Sequence, residues 1–228
     1  MSKCRFYFSI CTMNRLLCMI FSVICIFTLS IWAYAANENN RYWELLSDEW
    51  IKILIELWII NVTDAEVKEF WLEQVKAYFW AYDNWVTTMD SFKDANMRGW
   101  LTRIAMAKML SQYAINVLWK KPSNVVVPNF PDVTKQLDEG YNFWVTLSYQ
   151  LWIMWIWIDK FRPEDPVTRA EFATALSRML YSTPDGKPHF YSSHLDKLSE
   201  EWIITNKDPN LKELRWYVMI MLMRSDTN

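Results

Sequence analysis

The chain has 228 residues, with 24 Lys and Arg against 26 Asp and Glu, and it carries only 3 Gly beside 15 Trp. That length suits one or two compact units, and a mildly acidic chain with no basic block excludes a nucleic-acid partner held by charge. An anionic ligand would have to be held by a few placed arginines rather than by an overall field.

Lys3, Arg5 and Arg15 precede an apolar run from Leu16 to Trp32, which ends in Ala33-Tyr34-Ala35. A positive start, an apolar middle and a small-residue cleavage pattern read as an export signal over residues 1–35. The protein then meets a membrane only through this segment, before cleavage. A start at Met13 would leave a signal of ordinary length. The competing reading is a retained anchor, because about 17 apolar residues nearly reach spanning length. The Asn37-Glu38-Asn39 stretch that follows favours cleavage. All four cysteines (Cys4, Cys11, Cys18 and Cys25) lie inside the signal. The mature part therefore has no thiol for disulfides, metal ligation or catalysis. With the three signal cations removed its net charge is −5.

Residues 36–63 read as a helical lead-in, with an apolar helical stretch at Ile51–Leu57. Asp64 is placed to cap the next helix, whose buried stripe is Val67, Phe70, Val75, Tyr78, Phe79 and Tyr82. A second helix is predicted over Thr102–Leu118, with Ile104, Met106, Ala107, Leu110 and Ile115 on helical spacing. Lys120–Pro131 is a proline-punctuated linker, and its Val125–Val127 run is too short for a strand. A second pair of helices follows at Asn142–Leu151 and Arg169–Tyr181, and a third at Ser193–Glu201 and Leu211–Arg224. The Met106/Met109 and Met219/Met221/Met223 stripes read as core. A helix-loop-helix unit used three times cannot bury its face alone, so the units must stack on one another.

The glycine count is anomalous, since average usage would give roughly sixteen in a chain of this length. Trp58, Trp85, Trp152 and Trp202 each follow directly on an amphipathic helix, at the position that usually needs positive φ and therefore glycine. Many of these tryptophans read as glycines in the cell, as when UGA codons are translated as glycine. The competing reading is an aromatic surface that stacks on sugar rings, but such residues have no reason to recur at helix ends.

The segment Trp155-Ile156-Trp157-Ile158-Asp159-Lys160-Phe161-Arg162-Pro163-Glu164-Asp165-Pro166-Val167-Thr168-Arg169-Ala170-Glu171-Phe172 resembles the S-layer homology (SLH) repeat. Phe-Arg-Pro in the loop and Thr-Arg-Ala-Glu at the start of the second helix carry the likeness. Glu171 stands three residues after Thr168, which is a capping box in physical terms. Phe130-Pro131-Asp132-Val133 is similar to the opening of such a repeat. Weaker copies flank it at Thr102-Arg103-Ile104-Ala105 and at Glu201-Trp202-Ile203-Ile204 with Leu211–Trp216. The resemblance sets repeat 1 at residues 64–120, repeat 2 at 121–182 and repeat 3 at 183–225.

The resemblance implies an all-α fold, a three-pronged pseudo-symmetric bundle with the second helices meeting centrally. It implies a non-enzymatic exported protein of the cell wall or surface layer that grips a cell-wall polysaccharide, often a pyruvylated one. Other surface-layer proteins are further expected partners. The arginine of the Thr-Arg-Ala-Glu motif is the implied carboxylate ligand, which carries over to Arg169 with Thr168 and Glu171, and by position to Arg103 and Arg215. A guanidinium fork suits a carboxylate better than a lysine point charge does. The alternative is a structural scaffold in which the repeats bind protein to protein and the arginines only stabilise.

No catalytic residues, metal ligands or cofactor are expected. His189 and His194 are the only histidines and read as exposed loop residues beside Pro188. Glu164-Asp165 and Glu200-Glu201 read as solvated charge rather than a glycosidase pair. No phosphate-binding glycine loop, nucleophile elbow or zinc motif occurs.

Overall fold

In the computed structural model, which describes residues 70–124, 129–154 and 158–227, the chain is all-α, as expected. The signal, the lead-in, Trp58, the Asp64 cap, the Val125–Val127 run and Trp155–Trp157 lie outside the described residues. Among the described residues there are seven helices and no strand: α1 (Leu72–Asp83), α2 (Arg103–Asn116), α3 (Lys135–Gly140), α4 (Trp144–Gln150), α5 (Arg169–Tyr181), α6 (Ser192–Glu200) and α7 (Arg215–Thr227).

Threonine hydroxyls open three of the helices by accepting otherwise unpaired N–H groups. Thr102 accepts from Ala105 N at 3.4 Å, Thr134 from Leu137 N at 3.2 Å and Thr168 from Glu171 N at 3.3 Å. Glu171 Oε2 accepts in return from Thr168 N at 2.9 Å, completing the expected capping box. The helix predicted over Asn142–Leu151 is shorter, because Asn142 and Phe143 adopt left-handed φ of 52° and 61°. Buried Asp138 of α3 takes over the capping of α4, accepting from Val145 N at 3.0 Å and Thr146 N at 3.3 Å.

The helix predicted from Leu211 begins instead at Arg215. Its expected first residues run extended and bridge to neighbours, Lys212 with Thr168 and Leu214 with Trp100. Three such segments close a cycle of backbone hydrogen bonds. Leu101 N donates to Glu213 O (2.8 Å), Glu213 N to Val167 O (2.9 Å) and Val167 N to Leu101 O (2.8 Å). The first two N–H groups of each following helix are met in a matching way. Arg103 and Ile104 donate to Asp165 O and Pro163 O, Arg169 and Ala170 to Leu211 O and Pro209 O, and Arg215 and Trp216 to Gly99 O and Met97 O.

Around this cycle α2 packs on α4, α5 on α6 and α7 on α1, so each second helix of a predicted unit meets the first helix of another. Met106, Met109, Met219 and Met221 are buried as expected, and Met223 is half-buried. On α1 the predicted stripe holds for Val75 and Tyr78, whereas Tyr82 is exposed and Trp80 is wholly enclosed. Trp80 Nε1 donates to Asp226 Oδ2 at 3.0 Å, and its ring lies 5.9 Å from that of Tyr113. One side chain thus joins α1, α2 and α7.

The helix-end tryptophans behave differently. Trp85, Trp119, Trp152 and Trp202 have φ between 55° and 59° and are 64–81% exposed. None of the three glycines has positive φ. The fold therefore needs a left-handed residue at these four places and makes little use of an indole there. Replacing Trp85, Trp152 or Trp202 by glycine is expected to stabilise the chain by about 1 kcal/mol each in urea unfolding. Trp80→Gly in the same assay should cost roughly 4 kcal/mol through the cavity it leaves.

Candidate functional site

Arg103, Arg169 and Arg215 are the first residues of α2, α5 and α7, so the backbone cycle presents all three in the same local setting. What faces each guanidinium differs.

Arg103 is 6% exposed. Its Nε donates to Phe161 O at 2.6 Å and its Nη1 to Glu171 Oε1 at 3.1 Å, while the guanidinium lies 5.5 Å from the Phe161 ring centroid. Burial lowers the Arg103 pKa, and the Glu171 carboxylate counters that shift. Glu171 also accepts from the Thr168 hydroxyl at 3.0 Å, so Arg103, Glu171 and Thr168 form one linked chain. Nη2 of Arg103 has no hydrogen-bond partner among the described residues.

Arg169 is enclosed. Its Nη2 donates to Glu213 Oε2 at 3.1 Å, its Nε donates to Glu213 Oε1, and its Nη1 donates to Asn206 O at 2.6 Å. The Tyr217 ring centroid lies 4.4 Å from the guanidinium carbon. Arg215 is half-buried, and its Nε has no hydrogen-bond partner. Burial lowers its pKa, partly offset by Glu164, and Lys108 is lowered by burial and by Arg215. The third residue of α2 is Ala105, where α5 has Glu171 and α7 has Tyr217.

Of the residues the sequence nominated, Arg103, Thr168 and Glu171 come together, while Arg169 and Arg215 are bonded to none of them through their side chains. Arg103 and Glu171 line a cavity of about 300 Å³. Arg162 and Arg178 line it too, with Asp185 as its second carboxylate and Ile153, Ile158 and Phe190 among its apolar residues. Three guanidinium groups thus face two carboxylates, in a chain whose formal net charge is −2. Arg162 belongs to the Phe-Arg-Pro segment and could be found in the sequence. Arg178 is indistinguishable there from any charge on a helix face.

Behind the cavity, Asp185 accepts from Arg178 and lies 3.0 Å from His194 Nε2, and His194 Nδ1 lies 2.7 Å from Ser177 Oγ. The expectation of an exposed His194 is overturned, because it sits within α6 and is fully buried. The apolar moment of α6 turns it inward, and Ser177 and Asp185 satisfy both ring nitrogens. Ser177 is also fully buried, so no substrate reaches its hydroxyl. The Ser177–His194 pair is thus a buried polar contact that exposed Asp185 links to the cavity wall. Among the described residues no group of three or more His, Cys, Asp or Glu is arranged to hold a metal ion.

Comparisons with protein-family models, with curated proteins and with solved structures find no match for this chain.

Burial lowers the His194 pKa below its ordinary 6.5, outweighing the opposing effect of Asp185. As pH falls from 6.5 towards that lower value the unfolded chain takes up the proton first, so stability declines. Thermal unfolding of the wild type should show this decline, and His194→Gln should flatten it while leaving the carboxylate-driven loss at lower pH.

Proposed function

We propose that this chain is an exported cell-surface protein built of three SLH repeats in a three-pronged pseudo-symmetric bundle, and that it binds a carboxylate-bearing cell-wall polysaccharide. The observation that carries the reading is the cleft at Arg103, whose wall carries three guanidinium groups and two carboxylates, with Arg162 also 3.8 Å from Asp165 outside it. Its volume, about 300 Å³, is at the small end of ligand pockets and suits one sugar unit. Arg103 is held in place by Phe161 O and Glu171, which leaves its Nη2 to donate to an oxygen of a bound carboxylate. Phe190 at the cleft is 49% exposed and offers an apolar face for a sugar ring.

The repeat reading draws support from the backbone cycle, in which three equivalent segments exchange the same hydrogen bonds. It also accounts for the left-handed tryptophans as glycines read from UGA codons, since glycine is what such a helix end takes. On this reading the native peptide across Trp152 has a glycine mass, while enclosed Trp80 is encoded and translated as tryptophan.

A scaffold that only joins protein to protein is the second reading, favoured by the buried Arg169–Glu213 pair between repeats 2 and 3. Co-sedimentation with purified sacculi separates the two. Arg103→Ala should weaken binding at least tenfold, since hydrogen bonds to a charged partner contribute about 1.5–3 kcal/mol. Arg162→Ala, which removes an exposed side chain whose ion pair with Asp165 is a solvated 3.8 Å contact, should weaken it several-fold with Tm nearly unchanged. Wild-type protein that stays in the supernatant would exclude the wall-binding reading.

A further inference from the structure

The backbone cycle places Leu101, Val167 and Glu213 at matching positions, each fully buried. Two are apolar, as a buried site demands. The third is a carboxylate, and a buried charge is costly unless it is paired and hydrogen-bonded. Burial pushes the Glu213 pKa up, and only Arg169 pulls it back. Glu213 meets the Arg169 fork edge to edge, Oε1 on Nε and Oε2 on Nη2, the two-bond geometry of a bound carboxylate. The remaining guanidinium nitrogen, Nη1, donates to Asn206 O, and Tyr217 covers the face.

Neither of the other two arginines has such a partner. Arg103 leaves Nη2 unpartnered and borders an open cavity, and Arg215 leaves Nε unpartnered. Resting on the reading that the helix-opening arginines are carboxylate forks, we propose that Glu213 is a resident carboxylate ligand. It fills the fork of Arg169 and removes that position from ligand binding, so the chain's own acid stands where an external carboxylate would sit. The Arg169 position is thereby converted from a wall-binding site into a fastening between α5 and the segment that leads into α7.

Deleting the side chain should restore a site for small carboxylates. Glu213→Ala should lower Tm by roughly 10 °C, because one partner of a buried pair is lost. Sodium acetate or pyruvate should then raise its Tm saturably, beyond sodium chloride at equal ionic strength. The wild type, whose fork is filled, and Glu213→Gln, whose amide keeps the volume and accepts one of the two bonds, should not respond in this way. If Glu213→Ala fails to fold, refolding it in acetate against chloride replaces the melt, with recovery expected only in acetate. Equal behaviour in the two salts, in either format, overturns the proposal. A null here alongside Arg103-dependent binding to sacculi would reject the resident ligand alone. Acetate rescue without any binding to sacculi would instead reject the wall-binding reading and leave the filled fork standing.

Discussion

An α-helix begins with N–H groups that it cannot satisfy itself, and in this chain the loops satisfy them across the molecule. The leading N–H groups of α2 go to carbonyls at 163 and 165, those of α5 to 209 and 211, and those of α7 to 97 and 99. One residue pair earlier in each strandlike segment, Leu101, Val167 and Glu213 close the ring among themselves. Each segment is therefore both a donor and an acceptor to different neighbours, and none can leave without stranding buried backbone groups in the other two. The helix pairs follow from this constraint. Once these three helix starts are fixed, α4 covers the flank of α2, α6 that of α5 and α1 that of α7.

The ring also explains why three arginines with the same local geometry do different things. Its hydrogen bonds fix where each guanidinium begins but not what it meets, which depends on residues two before and two after the arginine of the next segment. Around Arg103 those residues are Val167 and Glu171, giving one carboxylate partner and an open side. Around Arg169 they are Glu213 and Tyr217, giving an enclosed pair with a ring on its face. The counterparts for Arg215 are Leu101 and Ala105, neither of which carries a polar group, and its Nε is left without a partner. A buried ion pair is weak evidence for stability by itself, because desolvation offsets much of the attraction. Its worth at Arg169 is better understood as specificity: it ties one segment to one neighbour.

Much of this was legible in the sequence because it rests on local chemistry. Thr168 with Glu171 announces a helix start wherever it occurs, and α5 spans Arg169–Tyr181 as the pattern predicts. The methionine stripes announce core for the same reason, since spacing alone decides which face they share. What was missed depends on partners distant in the chain. The late start of α7 follows from Lys212 and Leu214 bridging to Thr168 and Trp100, and nothing within residues 211–214 signals it. His194 looks like a loop residue beside Pro188 until Ser177 and Asp185 supply its two partners. In the site, the motif gave Arg103, Thr168 and Glu171 their positions. Glu213 carried no signal at all, because its meaning is set by Arg169, 44 residues away.

The tryptophans show how the same residue type is sorted by backbone rather than by side-chain chemistry. Trp80 is held on every side, with its indole N–H donating to Asp226 and its ring against Tyr113, so its identity is dictated by volume and by one hydrogen bond. At Trp85, Trp119, Trp152 and Trp202 the shared feature is the left-handed φ, and each residue is mostly exposed. An aromatic binding surface would be selected for what its rings face, and would tolerate many backbone conformations. Here the conformation is constant and the surroundings vary. A position whose only constant demand is a left-handed backbone is satisfied best by a residue with no side chain, and that argument holds whatever these helix ends contact.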